Sequence, residues 1–244
     1  MPAHRLPRCE VAAFESFPIA EPLEPRRLFA SFAVLVGSTL TITGTAGNDT
    51  IRVNSSGGNI VATLNSAVMT FPATQVQLVQ VLASQGADTI TTVNGLTVQA
   101  WGGPGPDTIL TGDGNDTVFA GTGNDSVNAG DGDNVLHGEA GNDSLMGGSG
   151  NNELLAGPGA DSVLGGSGND TVFGGQGNDT LFGAAGADLI VGGFGTDSMF
   201  GGDGNDTLLA RDGEADTLAG GPGTNAAQID SGIDLFTGIQ IFLP

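Results

Sequence analysis

From Gly102 to Leu209 the chain divides without a gap into twelve blocks of nine residues. A period held over that distance constrains the architecture more than any local propensity, because missing it mis-assigns the whole fold. The run opens GGPGPDTIL, TGDGNDTVF, AGTGNDSVN and AGDGDNVLH, and later gives GGSGNDTVF, GGQGNDTLF and GGDGNDTLL. Position four is Gly in all twelve blocks, and position six is Asp in ten and Asn in two, at Asn134 and Asn152. Position eight is always aliphatic or Met: Ile109, Val118, Val127, Leu136, Leu145, Leu154, Val163, Val172, Leu181, Ile190, Met199 and Leu208. A flexible Gly-rich linker would keep this composition but not this phase. One unit of ten residues, 210–219, and two decayed units, 220–228 and 229–237, continue the series.

The unit is the nonapeptide G-G-x-G-x-D-x-U-x, and residues 102–237 resemble the RTX (haemolysin-type) calcium-binding repeats of secreted bacterial proteins. The resemblance implies an all-β fold, a parallel β-roll built as a two-sheet right-handed solenoid. It also implies several Ca²⁺ ions held in the turns. The implied ligands are Asp107, Asp116, Asp125, Asp143, Asp161, Asp170, Asp179, Asp188, Asp197 and Asp206, with Asn134 and Asn152 at the same position. The implied glycine positions are Gly103, Gly105, Gly112, Gly114, Gly121, Gly123, Gly166, Gly168, Gly175, Gly177, Gly193, Gly195, Gly202 and Gly204.

The residues lead to the same place. Gly at positions one, two and four permits positive φ and close backbone approach, so six residues can make a tight turn. Positions seven to nine, such as Thr171-Val172-Phe173, read as a short strand of β-branched and apolar residues. Turn, strand, turn, strand makes a coil of two blocks, so stacked coils form two parallel sheets whose position-eight side chains meet inside. At ~4.8 Å per strand the regular blocks would make a rod on the order of 30 Å long. Stacking also places the Asp carboxylates one coil apart, a column of like charges that needs a cation. Ca²⁺ suits the site: it is hard, takes six to eight oxygens and accepts carboxylates mixed with carbonyls. Mg²⁺ demands a tighter, water-retaining octahedron and is the lesser candidate. Zn²⁺ is disfavoured, since His4, His137 and Cys9 are the only imidazole or thiol ligands in the chain.

Odd and even blocks fall on opposite edges of such a roll. One edge carries Asp107, Asp125, Asp143, Asp161, Asp179 and Asp197 without a break. The other carries Asp116, Asn134, Asn152, Asp170, Asp188 and Asp206, so both Asn residues adjoin each other there. Weaker or vacant sites are expected around them, with Asp131 and Asp133 as candidates to compensate. Position nine is apolar in most blocks (Leu110, Phe119, Met146, Phe173, Phe182), although strand alternation points it away from position eight. Either the twist of so short a strand or a covering N-terminal region buries it, or it is an exposed apolar face for a partner or a neighbouring copy.

Charge now has a place. The chain has 27 acids, six Arg and no Lys, a net charge of −21. Residues 102–237 hold 21 of those acids and only Arg211 as a base. Such a balance excludes nucleic-acid binding through a basic surface and argues against an anionic membrane. A single Cys excludes an internal disulfide.

Residues 38–101 read as a β-rich N-terminal cap of wider coils. Strands IRVN and NIVATL flank a turn at Ser55–Asn59, and two stray motif copies contain Asp49 and Asp88, read as turn residues apart from the stack. Trp101 reads as a packing residue sealing the roll. Residues 1–37 form a distinct leader. There PLEPRRLFA resembles the LEPR-XLL sorting segment of planctomycete surface proteins, with Leu23-Glu24-Pro25-Arg26 matching and Phe29 replacing the last Leu. The run LFASFAVLVG is too short to span a bilayer but suits a signal h-region. Residues 238–244 are a C-terminal tail.

A catalytic domain is not expected. Two His cannot make H-E-x-x-H, and Gly147-Gly148-Ser149-Gly150-Asn151 is not a G-x-S-x-G elbow. Asn-Asp-Ser/Thr triplets such as Asn115-Asp116-Thr117 mimic glycosylation sequons but follow from the repeat. The expectation is a secreted or cell-surface calcium-binding protein that folds on Ca²⁺ binding. A Ca²⁺-dependent adhesin with a surface or matrix partner, and less favourably a small hydrolase, are the alternatives.

Overall fold

Each nine-residue unit places a glycine-rich turn before an extended segment, and the turns set the path of the chain. The computed structural model describes residues 32–92, 95–230 and 232–243. The readings of residues 1–31, the sorting segment and Cys9 included, lie outside the described residues.

The strands form two sheets of twelve. One begins with Ala33–Val36 and Thr39–Thr43 and continues through Leu78–Leu82, Thr97–Pro104, Thr117–Thr122 and onward to Ile241–Phe242. The other runs from Ala67–Pro72, Asn59–Leu64 and Thr50–Ser56 through Thr89–Thr92 and Thr108–Leu110 to Leu235–Thr237. Pairing through the repeats is parallel, with Val172 opposite Leu154 on one side and Ile190 on the other. This is the expected two-sheet β-solenoid. Block n therefore stacks on block n+2, and the two edges alternate as the period requires.

The strands are longer than the expected three residues. From Val135 to Asp203 each spans six, such as Thr171–Gln176 and Leu189–Phe194, so positions one to three of the next block also belong to the strand. Glycine at most of positions one and two presents no side chain to its neighbours, so coil-to-coil hydrogen bonding continues where a turn was expected to begin. The ladder pairs positions seven, eight, nine, two and three, and steps over position one: Phe173 pairs Val191, and the next pair is Gly175 with Gly193.

All twelve position-eight side chains are buried, none above 2% exposed. Burying an aliphatic side chain of this kind contributes about 1.5–3 kcal/mol. Position-one Ala120, Ala129 and Ala156 join the same core. Position nine points outward and ranges from half-buried, as at Phe119, Phe173 and Phe200, to exposed, as at Leu110, Met146 and Phe182 (39%, 41% and 36%). These residues pack along the ladder. Trp101 stacks on Phe119 at 5.7 Å and Phe119 on His137 at 4.6 Å, while Phe182 stacks on Phe200 at 4.7 Å. Trp101 is therefore a position-nine residue on the outer face rather than a seal across the end of the roll.

The N-terminal β region continues the coils. Leu78–Leu82 and Thr89–Thr92 pair in parallel with Thr97–Pro104 and Thr108–Leu110. The sheet ends here are closed by antiparallel strands, Ala33–Val36 on Thr39–Thr43 and Asn59–Leu64 on Thr50–Ser56. Gly57 and Gly58 make the hairpin turn with φ of +57° and +79°, the left-handed region that two-residue hairpin loops use. Ala33–Val36 lies within the apolar run read as a signal h-region, and Ala33 is buried in the core.

Candidate metal centre

The turns hold two columns of buried polar groups, one on each edge. Every position-six side chain from Asp107 to Asp206 is 3% exposed or less. Each is fixed by its own backbone neighbour one coil earlier, which donates its N–H to the side chain. Asp107 N–H donates to Asp125 Oδ1 at 2.7 Å, Asp125 to Asp143 at 2.9 Å and Asp143 to Asp161 at 2.7 Å. The bond recurs on the other edge, where Asp170 donates to Asp188 at 2.8 Å and Asp188 to Asp206 at 3.0 Å.

That bond uses one carboxylate oxygen. The second oxygen, Oδ2, is buried without any hydrogen-bond partner in Asp88, Asp107, Asp116, Asp125, Asp143, Asp161, Asp170, Asp179, Asp188, Asp197, Asp206 and Asp216. A buried carboxylate oxygen without a donor or cation is costly. Burial raises all twelve above the usual carboxylate range, with neighbouring carboxylates adding to the rise at most of them. Burial takes Asp161, Asp179 and Asp188 to about 6, against the opposing pull of the backbone N–H bond.

Backbone oxygens face the same place. A Cβ on Gly174 would lie 2.4 Å from the Gly192 carbonyl oxygen and 2.5 Å from Asp179 Oδ2. A Cβ on Gly102 would lie 2.4 Å from both Ala120 O and Asp107 Oδ2. The position-one carbonyl of the next coil and the orphaned carboxylate oxygen thus converge over position one. The two nearest atoms there are both oxygens. The donor set is hard, anionic and mixed carboxylate–carbonyl, which fits Ca²⁺. No three His, Cys, Asp or Glu side chains converge on a common metal position among the described residues. The arrangement therefore relies on backbone carbonyls to complete any shell.

Asn shows what the same position does without a charge. Asn134 Nδ2 donates to Gly132 O at 3.1 Å and Gly147 O at 3.2 Å. Asn152 Nδ2 donates to Asp170 Oδ1 at 3.0 Å and Gly150 O at 3.2 Å, with Gly165 O farther off at 3.5 Å. Each amide thus reaches a position-four carbonyl in its own turn and a position-one carbonyl in the next coil. Asp131 and Asp133 make their hydrogen bonds away from these amides. Asp131 is hydrogen-bonded to Ser149, and Asp133 Oδ1 accepts the Asn151 N–H at 2.7 Å, both on the exposed side of the turn.

The expected edge assignment holds, and the first column is longer than the sequence indicated. Asp49 N–H donates to Asp88 Oδ1 and Asp88 N–H to Asp107 Oδ1, both at 2.7 Å, so these residues belong to the stack rather than standing apart from it. At the other end Asp197 donates to Asp216 at 2.8 Å, and Asp216 to Asp234 at 3.1 Å. Asp49 Oδ2 is already occupied by Thr45, and Asp234 Oδ2 by the Asp230 N–H, so the orphaned stretch runs from Asp88 to Asp216.

A second ladder, unread in the sequence, runs the opposite way. Position-five Asn Oδ1 accepts the position-five N–H of the following coil: Asn124 from Asn142, Asn142 from Ala160, and Asn151 from Asn169. This is a structural reason for the recurrent Asn before Asp. The glycines separate the coils closely enough for both ladders. A Cβ on Gly141 would lie 1.4 Å from Gly123 O, and its φ of +146° is itself glycine territory.

The model of the RTX calcium-binding nonapeptide repeat (4 copies) matches residues 41–55 and overlapping windows 101–136, 119–154, 137–172, 146–181, 155–190, 173–208 and 191–226. These windows cover more than half of the chain, and the first contains Asp49. No curated protein matches the chain. The repeat, the two-sheet solenoid and the family match together place this chain in the RTX calcium-binding repeat family.

Proposed function

We propose that this is a secreted or cell-surface protein whose turns coordinate Ca²⁺ between successive coils and whose solenoid folds when the ions bind. The observation that carries this reading is the series of buried, unpartnered Asp Oδ2 atoms facing backbone carbonyls. In calcium-poor surroundings the columns repel and lack a counter-charge. In millimolar Ca²⁺ each ion joins two coils, cancels charge and adds its binding energy to folding. The assigned side chains are the ten Asp from Asp107 to Asp206 together with Asp88 and Asp216. Position-one and position-four carbonyls complete the shell, so glycine positions such as Gly105, Gly123 and Gly177 contribute through their backbone.

Within this reading residues 1–37 serve export or sorting, 38–101 close one end, 102–237 are the calcium-binding roll and 238–244 a tail. No helix among the described residues is long and apolar enough to cross a membrane. A Ca²⁺-dependent adhesive role is the second reading. It is favoured by the outward, partly exposed position-nine side chains, among them Met146 and Phe182.

The test is a calcium titration of the full chain by calorimetry and circular dichroism. Chelation should abolish most of the β signal and Ca²⁺ should restore it, with several ions bound per chain. A chain already fully folded in chelator, or one that takes up no Ca²⁺, would defeat this reading.

A further inference from the structure

The two edges are built differently, and the difference reaches beyond the two Asn residues. On the edge of Asn134 and Asn152, four consecutive position-one carbonyls each receive a side-chain donor. Thr92 Oγ1 donates to Thr111 O at 2.5 Å, and Thr111 Oγ1 donates to Ala129 O at 3.1 Å. The next two carbonyls, Gly147 O and Gly165 O, receive Asn134 Nδ2 at 3.2 Å and Asn152 Nδ2 at 3.5 Å, the latter amide also donating to Asp170 Oδ1 at 3.0 Å. All four donors are buried, with Thr92 at 0% and Thr111 at 1% exposed. Opposite them in the same coils lie Asp107, Asp125, Asp143 and Asp161, each with an orphaned Oδ2.

A side-chain donor takes one of a carbonyl oxygen's two lone pairs and competes there with a cation. Where an amide or hydroxyl hydrogen points at that oxygen, an ion finds a poorer ligand and a repulsive neighbour. Asn134 and Asn152 also keep the coil-to-coil bond that Asp makes: Asp116 N–H donates to Asn134 Oδ1 at 2.9 Å, and Asn134 N–H to Asn152 Oδ1 at 3.0 Å. The turn is thus stapled by the same backbone bond without the unmet charge.

We propose that this edge from Asn134 to Gly165 is a metal-free spine, continued by the donors Thr92 and Thr111, with Asp116 the one carboxylate left beside them. Its buried Thr and Asn donors occupy the carbonyls that an ion would otherwise take, so these coils hold together on one edge before any ion loads the other. The spine rests on the calcium-binding reading for its contrast with the opposite edge, but its hydrogen bonds stand independently of it. It gives the chain a starting structure in calcium-poor conditions, from which the Asp column on the facing edge fills.

Hydrogen exchange of the full chain in chelator tests this directly. The amides of Asp116 and Asn134 should exchange at least about tenfold more slowly than those of Asp125 and Asp143, which sit in the same coils on the opposite edge. Equal exchange on both edges, or no protection on either, would overturn the spine. A second arm counts bound Ca²⁺ in the Asn134→Asp/Asn152→Asp variant, which should gain about one to two ions per chain and lose amide protection in chelator. An unchanged ion count with unchanged protection would overturn the proposal. The converse variant, Asp143→Asn/Asp161→Asn, should bind fewer ions and gain protection at positions 125 and 143 in chelator. Should the wild type bind no Ca²⁺, the functional reading fails while the exchange comparison still decides for or against the spine.

Discussion

The backbone N–H of Asp161 donates to Asp179 Oδ1 at 2.8 Å, while the other oxygen of the same carboxylate is buried with no partner. One atom of Asp179 therefore belongs to the fold, while the other is left without a partner. The two roles can be separated by substitution. Asp179→Asn keeps an oxygen for the Asp161 N–H but removes the charge; Asp179→Ala removes both. A buried amide left without an acceptor costs about 1–3 kcal/mol. In calcium the Asp161 amide should exchange about tenfold faster in Asp179→Ala than in Asp179→Asn. Both variants should need more Ca²⁺ to fold. Identical exchange in the two would show that Oδ1 is not the staple.

Protons and Ca²⁺ should compete for these columns. Burial raises Asp107, Asp143, Asp161, Asp179, Asp188 and Asp216 from 3.8 to about 6. A raised carboxylate pKa means that the folded chain holds more protons than the unfolded one. The metal-free fold is then favoured at about pH 4 and below, and loses stability as pH climbs from there through about 6. In chelator, β-type circular dichroism should recover as pH falls from about 7 to about 5, and added Ca²⁺ should release protons near pH 6. A signal that stays flat or weakens over that interval would contradict the burial argument.

The glycine at position four is set by the neighbouring coil. In Gly141→Ala the new methyl would meet Gly123 O at a distance no carbon can occupy, on a residue whose φ is +146°. The left-handed strain alone costs about 1–3 kcal/mol, and the contact adds to it. Denaturant unfolding in saturating Ca²⁺ should show a loss of at least about 2 kcal/mol. Gly213→Ala is the control, since nothing lies within 4 Å of its Cβ position. It should lose less, although its φ of +95° is also positive.

Core and face should respond differently. Leu181 is fully buried at position eight, so Leu181→Ala should cost about 2–5 kcal/mol in the calcium-loaded chain. Phe182 is the adjacent outward residue, stacked on Phe200. Phe182→Ala should cost only about 0.5–1.5 kcal/mol. Comparable losses at the two positions would mean that the outer face is covered in solution.

Period, phase and edge assignment were all legible in the sequence, because a spacing of eighteen between stacked residues follows from two blocks of nine. Asp88 and Asp216 were not. Asp88 lies 19 residues before Asp107, Asp197 lies 19 before Asp216, and Asp49 lies 39 before Asp88. Strand pairing fixes which residues stack, whereas turns and the Asn59–Leu64 and Ala67–Pro72 strands absorb the extra length. Sequence spacing alone therefore breaks where the register does not. Position one was also missed as a place where oxygens face the carboxylates. Its contribution is a carbonyl, which leaves no trace in residue type, and the side chains that occupy such carbonyls, Thr92 and Thr111, lie at or before the first two blocks.

Alternation of blocks between edges also restricts how such a chain can change length. Loss of two adjacent blocks removes one coil and leaves every later residue on its own side. Loss of one block exchanges the sides of everything that follows, and a deletion upstream of Asp197 would bring Asn225, which otherwise caps Asp206, into the uninterrupted aspartate series. The heritable unit of growth and shrinkage is accordingly the full coil, and single-repeat gains or losses should be the rarer event among chains descended from this one.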